Sequence, residues 1–391
     1  MNILYLQSGG PTSVINCSCY GVIKQAKTHP EVERVYGARY GIEGLLNGDL
    51  IDLFAQDEKQ IELLKQTPGV ILGSSRMKLG KDPEIFEALE SNIRRYGIEA
   101  ILVNGGNDSM DTALWLHENF HGRVRVIGIP KTIDNDLAVT DHSIGFPSAA
   151  KHVLEAVKAA TRDARSYRTG KIVLIEIMGR EAGWLTASVD LLSEEDRPDL
   201  IYLPEMNFDE KTFEQDIQRI FRQKGCVVAA ISEGLDIQHD TLALADSFGH
   251  ISPEGVCEEL GHRLKDRLGV GVRTIQLSTM TRADPTCLSK VDVDEAIRCG
   301  QAAVEAVFAG ESGKMVGLSR VSQDPYRSET ILIPLEEVAN VEAGFPVQWL
   351  DSHSHLDQAF RDYLLPLLQG NVDLVYEEDG TVAYARFENR K

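Results

Sequence analysis

The chain has 391 residues, 43% of them hydrophobic and 26% charged, and a formal net charge of −20. That length supplies two or three domains with sizeable cores, and the acidic balance excludes nucleic acid or an anionic membrane as the main partner. Six scattered cysteines without a C-x-x-C pair, no signal peptide, and no apolar run near the ~20 residues of a membrane span lead us to expect reduced thiols in a cytoplasmic protein.

Ile3 to Leu6 reads as a short buried strand ending in Gln7-Ser-Gly-Gly-Pro-Thr12, ahead of an apolar-periodic helix through Ile15, Cys19, Val22 and Ala26. A strand, a glycine turn and a helix N-terminus in that order offer free amides and a helix dipole to an anion, although a tight turn needs the same residues. Pro68 to Leu72 is another short apolar run and leads into Gly73-Ser-Ser-Arg76, whose arginine either reaches a phosphate or is simply solvated. Ala100 to Val103 is the next strand. It ends in Asn104-Gly-Gly-Asn-Asp-Ser109, where Asp108 and Ser109 also suit helix capping.

Val124 to Ile129 climbs as a buried strand and breaks at Pro130, before Lys131-Thr-Ile-Asp-Asn-Asp136. Loops at the ends of buried strands are where open α/β folds place their chemistry. Asp134 could serve as a base, Asp136 as a second polar contact and Lys131 as a counter-charge, while Asp-Asn-Asp alone would also make a turn. A helix with apolar spacing follows from Ser148 to Arg165, then a small cationic cluster of Arg162, Arg165, Arg168 and Lys171. Ile172 to Ile177 ends in Met178-Gly-Arg180, Cys226 to Ile231 ends in Ser232-Glu-Gly234, and Arg273 to Leu277 ends in Ser278-Thr-Met-Thr-Arg282. Asp294 to Ala309 reads as a helix, Thr330 to Ile333 as a strand, and Phe360 to Leu368 as an amphipathic segment.

At least five buried strands thus stop in loops carrying glycine with a polar or charged residue. Strands alternate with helices, so the sheets should be mainly parallel with helices on both faces. The glycine loops would supply phosphate-binding amides, and Arg76, Lys131 and Arg180 the charge, which points to phosphoryl transfer. A dinucleotide-dependent dehydrogenase is disfavoured, because no G-x-G-x-x-G follows the first strand.

In order along residues 1 to about 320, Gly9-Gly10, Gly73-Ser-Ser-Arg76, Gly105-Gly-Asn-Asp-Ser109, Pro130-Lys-Thr-Ile-Asp-Asn-Asp136, Met178-Gly-Arg180 and Ser232-Glu-Gly234 resemble the 6-phosphofructokinase family. The resemblance implies two similar Rossmann-like α/β domains with a cleft between them, Mg²⁺, fructose 6-phosphate as acceptor, and a homodimer or homotetramer. It implies a phosphoryl-donor domain at 1–145 with about 281–335, and a sugar-phosphate domain at 146–280 with about 336–391. ATP-using members carry glycine where this chain has Asp108 and Lys131, so the resemblance is to the pyrophosphate-dependent branch. A carboxylate at Asp108 would meet the α-phosphate of ATP with steric and like-charge penalties, whereas Lys131 would favour a compact, highly charged donor.

Carried over residue by residue, Asp134 resembles the base at the sugar 1-hydroxyl, with Asp136 and Thr132 as its neighbours at the same substrate. Met178, Gly179, Arg180 and Glu233 resemble the sugar site, and Arg273 and Arg282 the 6-phosphate contacts. Lys171 resembles a residue that reaches across a subunit interface. Gly10, Arg76, Asp108 and Ser109 resemble the donor site. Asn107 stands where the family has a metal-contacting aspartate, and an amide is a weaker ligand. The segment 278–282 lacks the family's histidine or tyrosine. These departures leave an ATP-dependent or other sugar-phosphate kinase, and a non-catalytic regulatory paralogue, as alternatives.

Overall fold

Runs of aliphatic and β-branched residues build the sheets, as their fit to a pleated, buried surface requires. In chain order the strands are β1 (Asn2–Gln7), β2 (Arg34–Ala38), β3 (Leu50–Asp52), β4 (Ile98–Gly105), β5 (Arg125–Pro130) and β6 (Ile172–Ile177). They continue with β7 (Leu200–Tyr202), β8 (Val227–Ser232), β9 (Val272–Gln276), β10 (Lys314–Gln323) and β11 (Tyr326–Pro334). The computed structural model describes residues 1–80, 82–168, 170–237, 255–352 and 355–388. It divides into a first unit, Met1–Ser148, Arg282–Ala343 and Gln369–Lys391, and a second, Ala149–Thr281 and Gly344–Leu368.

The first unit holds a seven-stranded sheet in the order β11-β10-β5-β4-β1-β2-β3. Its pairings are parallel except β2–β3 and β10–β11. Side-chain alternation along β1 splits its residues between two cores. Ile3 and Tyr5 pack with Cys17 and Val22 of the helix Ile15–Ala26 and with Ala296 and Cys299 of the helix Lys290–Phe308. Leu4 and Leu6 pack on the other face with Met110 and Leu116 of the helix Asn107–Phe120.

The apolar run 68–72 is not a strand; it makes a single bridge, between Gly69 and Thr12. Its amides go to side chains instead. Ile71 N donates to Asn16 Oδ1 at 3.1 Å and Leu72 N to Gln7 Oε1 at 3.2 Å. The tail, expected with the sugar-phosphate domain, packs from 369 onward in the first unit. Gln66 Nε2 donates to the carbonyls of Val375 and Ala383, and Ala385 N to Thr67 Oγ1, each at 2.8 Å.

The second unit is built on an all-parallel sheet in the order β7-β8-β6-β9. Phe213 and Ile217 of the helix Glu210–Lys224, and Leu260 and Leu264 of the helix Val256–Leu268, close its core. Trp184, Phe345, Trp349 and Phe360 stack edge-on or tilted, fastening the segment 344–368 to this unit. Among the described residues no helix is long and apolar enough to cross a membrane.

Candidate active site

In the first unit three parallel strands finish side by side. Gln7 of β1 pairs with Asn104 of β4, and Asn104 and Gly105 pair with Ile129 and Pro130 of β5. The chain runs from β1 outward to β2 and returns to β4 on the other side of β1, so β1 and β4 flank the switch point where such sheets bind ligands. The register alone therefore brings together the loops that begin at Ser8, Gly106 and Lys131.

Lys131 is 2% exposed, and its ammonium donates to the Gly10 carbonyl at 2.7 Å. A buried ammonium needs such partners. Arg282 joins the same corner, since a side-chain carbon on Gly10 would lie 3.4 Å from its Nη1. The resemblance implies that Arg273 and Arg282 contact the sugar 6-phosphate; Arg282 is grouped with the unit of the Gly9-Gly10 loop and Arg273 with the second unit. Ser74 Oγ donates to the Gly9 carbonyl at 2.6 Å, which ties the segment bearing the exposed Arg76 to this loop.

Asn107 opens the helix Asn107–Phe120, and Asp108 sits in its first turn with Lys78 Nζ 3.4 Å from Oδ1. Gly105 must lack a side chain, because a Cβ there would meet Ser109 Oγ at 2.0 Å. Among the described residues, Ser109 Oγ and Asn107 Oδ1 are buried with no hydrogen-bond partner. Asn107 Nδ2 donates to Asp136 Oδ2 at 3.1 Å, so the helix start and the Lys131–Asp136 loop touch through this pair. The unpartnered Asn107 Oδ1 and the Asp136 carboxylate are each oxygen ligands of the kind a hard divalent cation takes.

The loop itself is folded back on its own backbone. Thr132 Oγ1 accepts from Asp134 N at 3.1 Å, and Thr132 N donates to the Ile144 carbonyl at 3.1 Å. Asn135 takes φ +56, a left-handed conformation that asparagine tolerates, and its Oδ1 accepts from Ser143 N at 2.8 Å. Asp134 is left half-buried between these ties.

In the second unit β6 and β8 end together, with Ile177 paired to Ser232. Glu233, 8% exposed, accepts through Oε1 from Gly179 N at 3.2 Å and from Arg180 N at 3.0 Å. Arg180 lies at φ +51, and Gly234 is required opposite it, because a Cβ there would fall 1.7 Å from the Arg180 carbonyl oxygen. Glu233 thus holds a left-handed turn that presents the exposed Arg180. Glu176, Met178, Glu233, Gln276 and Ser278 line a small open recess beside it.

Lys171 and Arg273 are not at this strand end. Lys171 precedes β6 and Arg273 pairs with Val173, so both stand near the start of the strand that Met178 follows. At ~3.3 Å per residue they lie roughly 15–25 Å along the strand from Met178. Arg273 faces Asp163 at 3.9 Å and is half-exposed.

Two buried residues were not anticipated. Glu176 lies within the apolar strand β6 and accepts from Gly255 N at 3.1 Å and Cys257 N at 2.8 Å. Its signal was present, as a lone carboxylate amid Ile172-Val-Leu-Ile and Ile177. His142 is fully buried between two carboxylates, and nothing local in sequence marks it.

Residues 2–307 match the family model described as Phosphofructokinase. A relative from Xanthomonas campestris named pyrophosphate–fructose 6-phosphate 1-phosphotransferase is 38% identical, covering 99% of this chain and 96% of that protein. One of the same name from Halomonas elongata is 36% identical over 94% of this chain and 92% of its own length. The crystal structure of a pyrophosphate-dependent phosphofructokinase from Marinobacter aquaeolei superposes with a TM-score of 0.89 at 34% identity, covering 100% of this chain and 96% of that one.

Proposed function

The chain belongs to the phosphofructokinase family, and we propose that it is a pyrophosphate-dependent member. It transfers a phosphoryl group from pyrophosphate to the 1-hydroxyl of fructose 6-phosphate, giving fructose 1,6-bisphosphate and orthophosphate. The observation that carries this reading is the buried Lys131 ammonium on the Gly10 carbonyl, together with the half-buried Asp108 carboxylate in the first turn of the helix Asn107–Phe120. A fixed cation at the glycine loop suits a compact tetra-anionic donor. A carboxylate in the first helical turn opposes the longer phosphate chain of a nucleotide.

Asp134 takes the proton of the sugar 1-hydroxyl as that oxygen attacks the donor phosphorus. The bridging oxygen leaves with the P–O electron pair, so one phosphoryl group moves and orthophosphate departs. Lys131, with Arg282 and Arg76, offsets the charge spread over donor and transferring group, and amides of the Gly9-Gly10 loop and the Ser109 hydroxyl orient it. Thr132 and Asp136 position the acceptor end, and the sugar lies against Met178, Gly179, Arg180 and Glu233.

Members of this family use a divalent metal, here assigned as Mg²⁺; Asn107 and Asp136 would hold it, and when bound it would neutralise donor oxygens. The first unit is the donor domain and the second the sugar-phosphate domain. Lys171 and Arg273, remote along β6 from Met178 of their own chain, serve the 6-phosphate of a second copy in a homodimer or homotetramer. The enzyme acts in the cytoplasm.

The test is product analysis by phosphorus NMR after incubating the protein with pyrophosphate, fructose 6-phosphate and Mg²⁺. Fructose 1,6-bisphosphate and orthophosphate in equal amounts are expected. Orthophosphate alone, at two per pyrophosphate, would reduce the protein to a pyrophosphatase.

A further inference from the structure

His142 is buried to 0% side-chain exposure, with Nδ1 2.8 Å from Asp141 Oδ1 and Nε2 2.7 Å from Glu295 Oε2. A neutral imidazole has one N–H and cannot donate to both carboxylates; the imidazolium can. Each carboxylate is held in turn. Arg320 of β10 grips Asp141 through Nε at 3.1 Å and Nη2 at 3.0 Å. Arg298, one turn along the helix Lys290–Phe308, and Tyr326 of β11 hold Glu295 Oε1 at 3.2 and 2.8 Å.

The arm that carries His142 is the return half of the Asp134 loop. Asn135 Oδ1 binds Ser143 N, and Thr132 pairs with Ile144 and Gly145. Val139, 55% exposed, is held at φ +67, a region that disfavours β-branched residues and persists only where the surroundings over-determine it. Its neighbour Thr140 is fixed by Leu318 N at 2.9 Å.

We propose that His142, as an imidazolium clamped by Asp141 and Glu295, is the positioning residue of the Asp134 loop. It anchors the strained return arm to the helix Lys290–Phe308 and to β10, and so fixes where the carboxylate of Asp134 stands. This rests on Asp134 being the base. Burial opposes the charge but the two carboxylates outweigh it, and His142 is pushed up from 6.5 to about 9. The nearby Asp292, also buried, adds to the negative surroundings. The clamp therefore contributes fully below about pH 6.5 and is lost on the alkaline side, as pH rises through about 9.

The direct test is the ring ¹⁵N spectrum of His142 in the full-length protein at pH 8, where both nitrogens are expected protonated. A neutral tautomer there overturns the proposal. Assayed well below its melting temperature, His142→Asn is expected to lower kcat ~10–100-fold, in keeping with a displaced catalytic group, while both KM values stay within a factor of about two. Normal kcat with a lowered Tm would make His142 merely structural. Should that variant not fold, Glu295→Gln should move the alkaline limb of kcat down by at least about one pH unit, as loss of an opposite charge implies; an unmoved limb contradicts the proposal. Normal kcat in Asp134→Asn would remove the base reading and this one with it. The ring spectrum distinguishes that failure from failure of the clamp.

Discussion

The two strand ends to which we assign the donor and the sugar are built differently. At the strand ends of the first unit the cation is interior: Lys131 is 2% exposed and bonded to a carbonyl of the loop it serves. Thr132 and Asn135 accept from the backbone amides of Asp134 and Ser143, and the Asn107 amide donates to Asp136. At the strand end of the second unit the cation is exterior. Arg180 is exposed on a left-handed turn, and the buried group is the carboxylate of Glu233, which holds the turn from behind. Phosphoryl transfer gains from charges that need no reorganisation at the moment of reaction. On the proposed assignment, preorganisation is concentrated where the bond breaks.

Variants at the two ends should therefore fail in different ways. The largest loss is expected from Asp134→Asn, which keeps shape and removes the base; steady-state assays should show kcat down ~10²–10⁴-fold. A variant retaining more than half of wild-type kcat would take Asp134 out of that role. Lys131→Met should follow, with pyrophosphate-dependent kcat down ~10²–10³-fold as for loss of one preorganised charge, and little change in KM for fructose 6-phosphate. An equal rise in sugar KM would blur the division between the ends.

At the sugar end the effects should be smaller and fall on KM. Glu233→Ala removes a charge-assisted acceptor from two amides, worth about 1.5–3 kcal/mol. It should raise KM for fructose 6-phosphate about tenfold or more, with some loss of Tm as the Arg180 turn relaxes. Arg180→Ala should raise the same KM while leaving thermal unfolding nearly unchanged, because the side chain is exposed. A large drop in Tm with normal kinetics would instead make Arg180 a structural residue.

The same contrast explains what could be read from the chain alone. β1, β4, β5, β6 and β8 are dense apolar runs that end in glycine and polar residues, and the structure finds each within about two residues of the expected bounds. β10 and β2 were not anticipated, since Lys314-Met-Val-Gly-Leu-Ser-Arg-Val and Arg34-Val-Tyr-Gly-Ala carry glycine and polar residues that weaken a local strand signal. The run 68–72 looks like a strand locally but is captured by Asn16 and Gln7, side chains more than 50 residues away. His142 and Glu295 lie 153 residues apart, so their pairing has no local trace. Motifs at strand ends were legible; the polar groups that hold them from behind were not.

The central claim is that the donor end is preorganised for pyrophosphate. The most direct measurement compares initial rates with fructose 6-phosphate and Mg²⁺ for pyrophosphate and for ATP, in the wild type and in Asp108→Gly. Turnover with pyrophosphate, little with ATP, and ATP binding gained on removing the Asp108 carboxylate are expected. Robust ATP turnover by the wild type, with none from pyrophosphate, would contradict that claim.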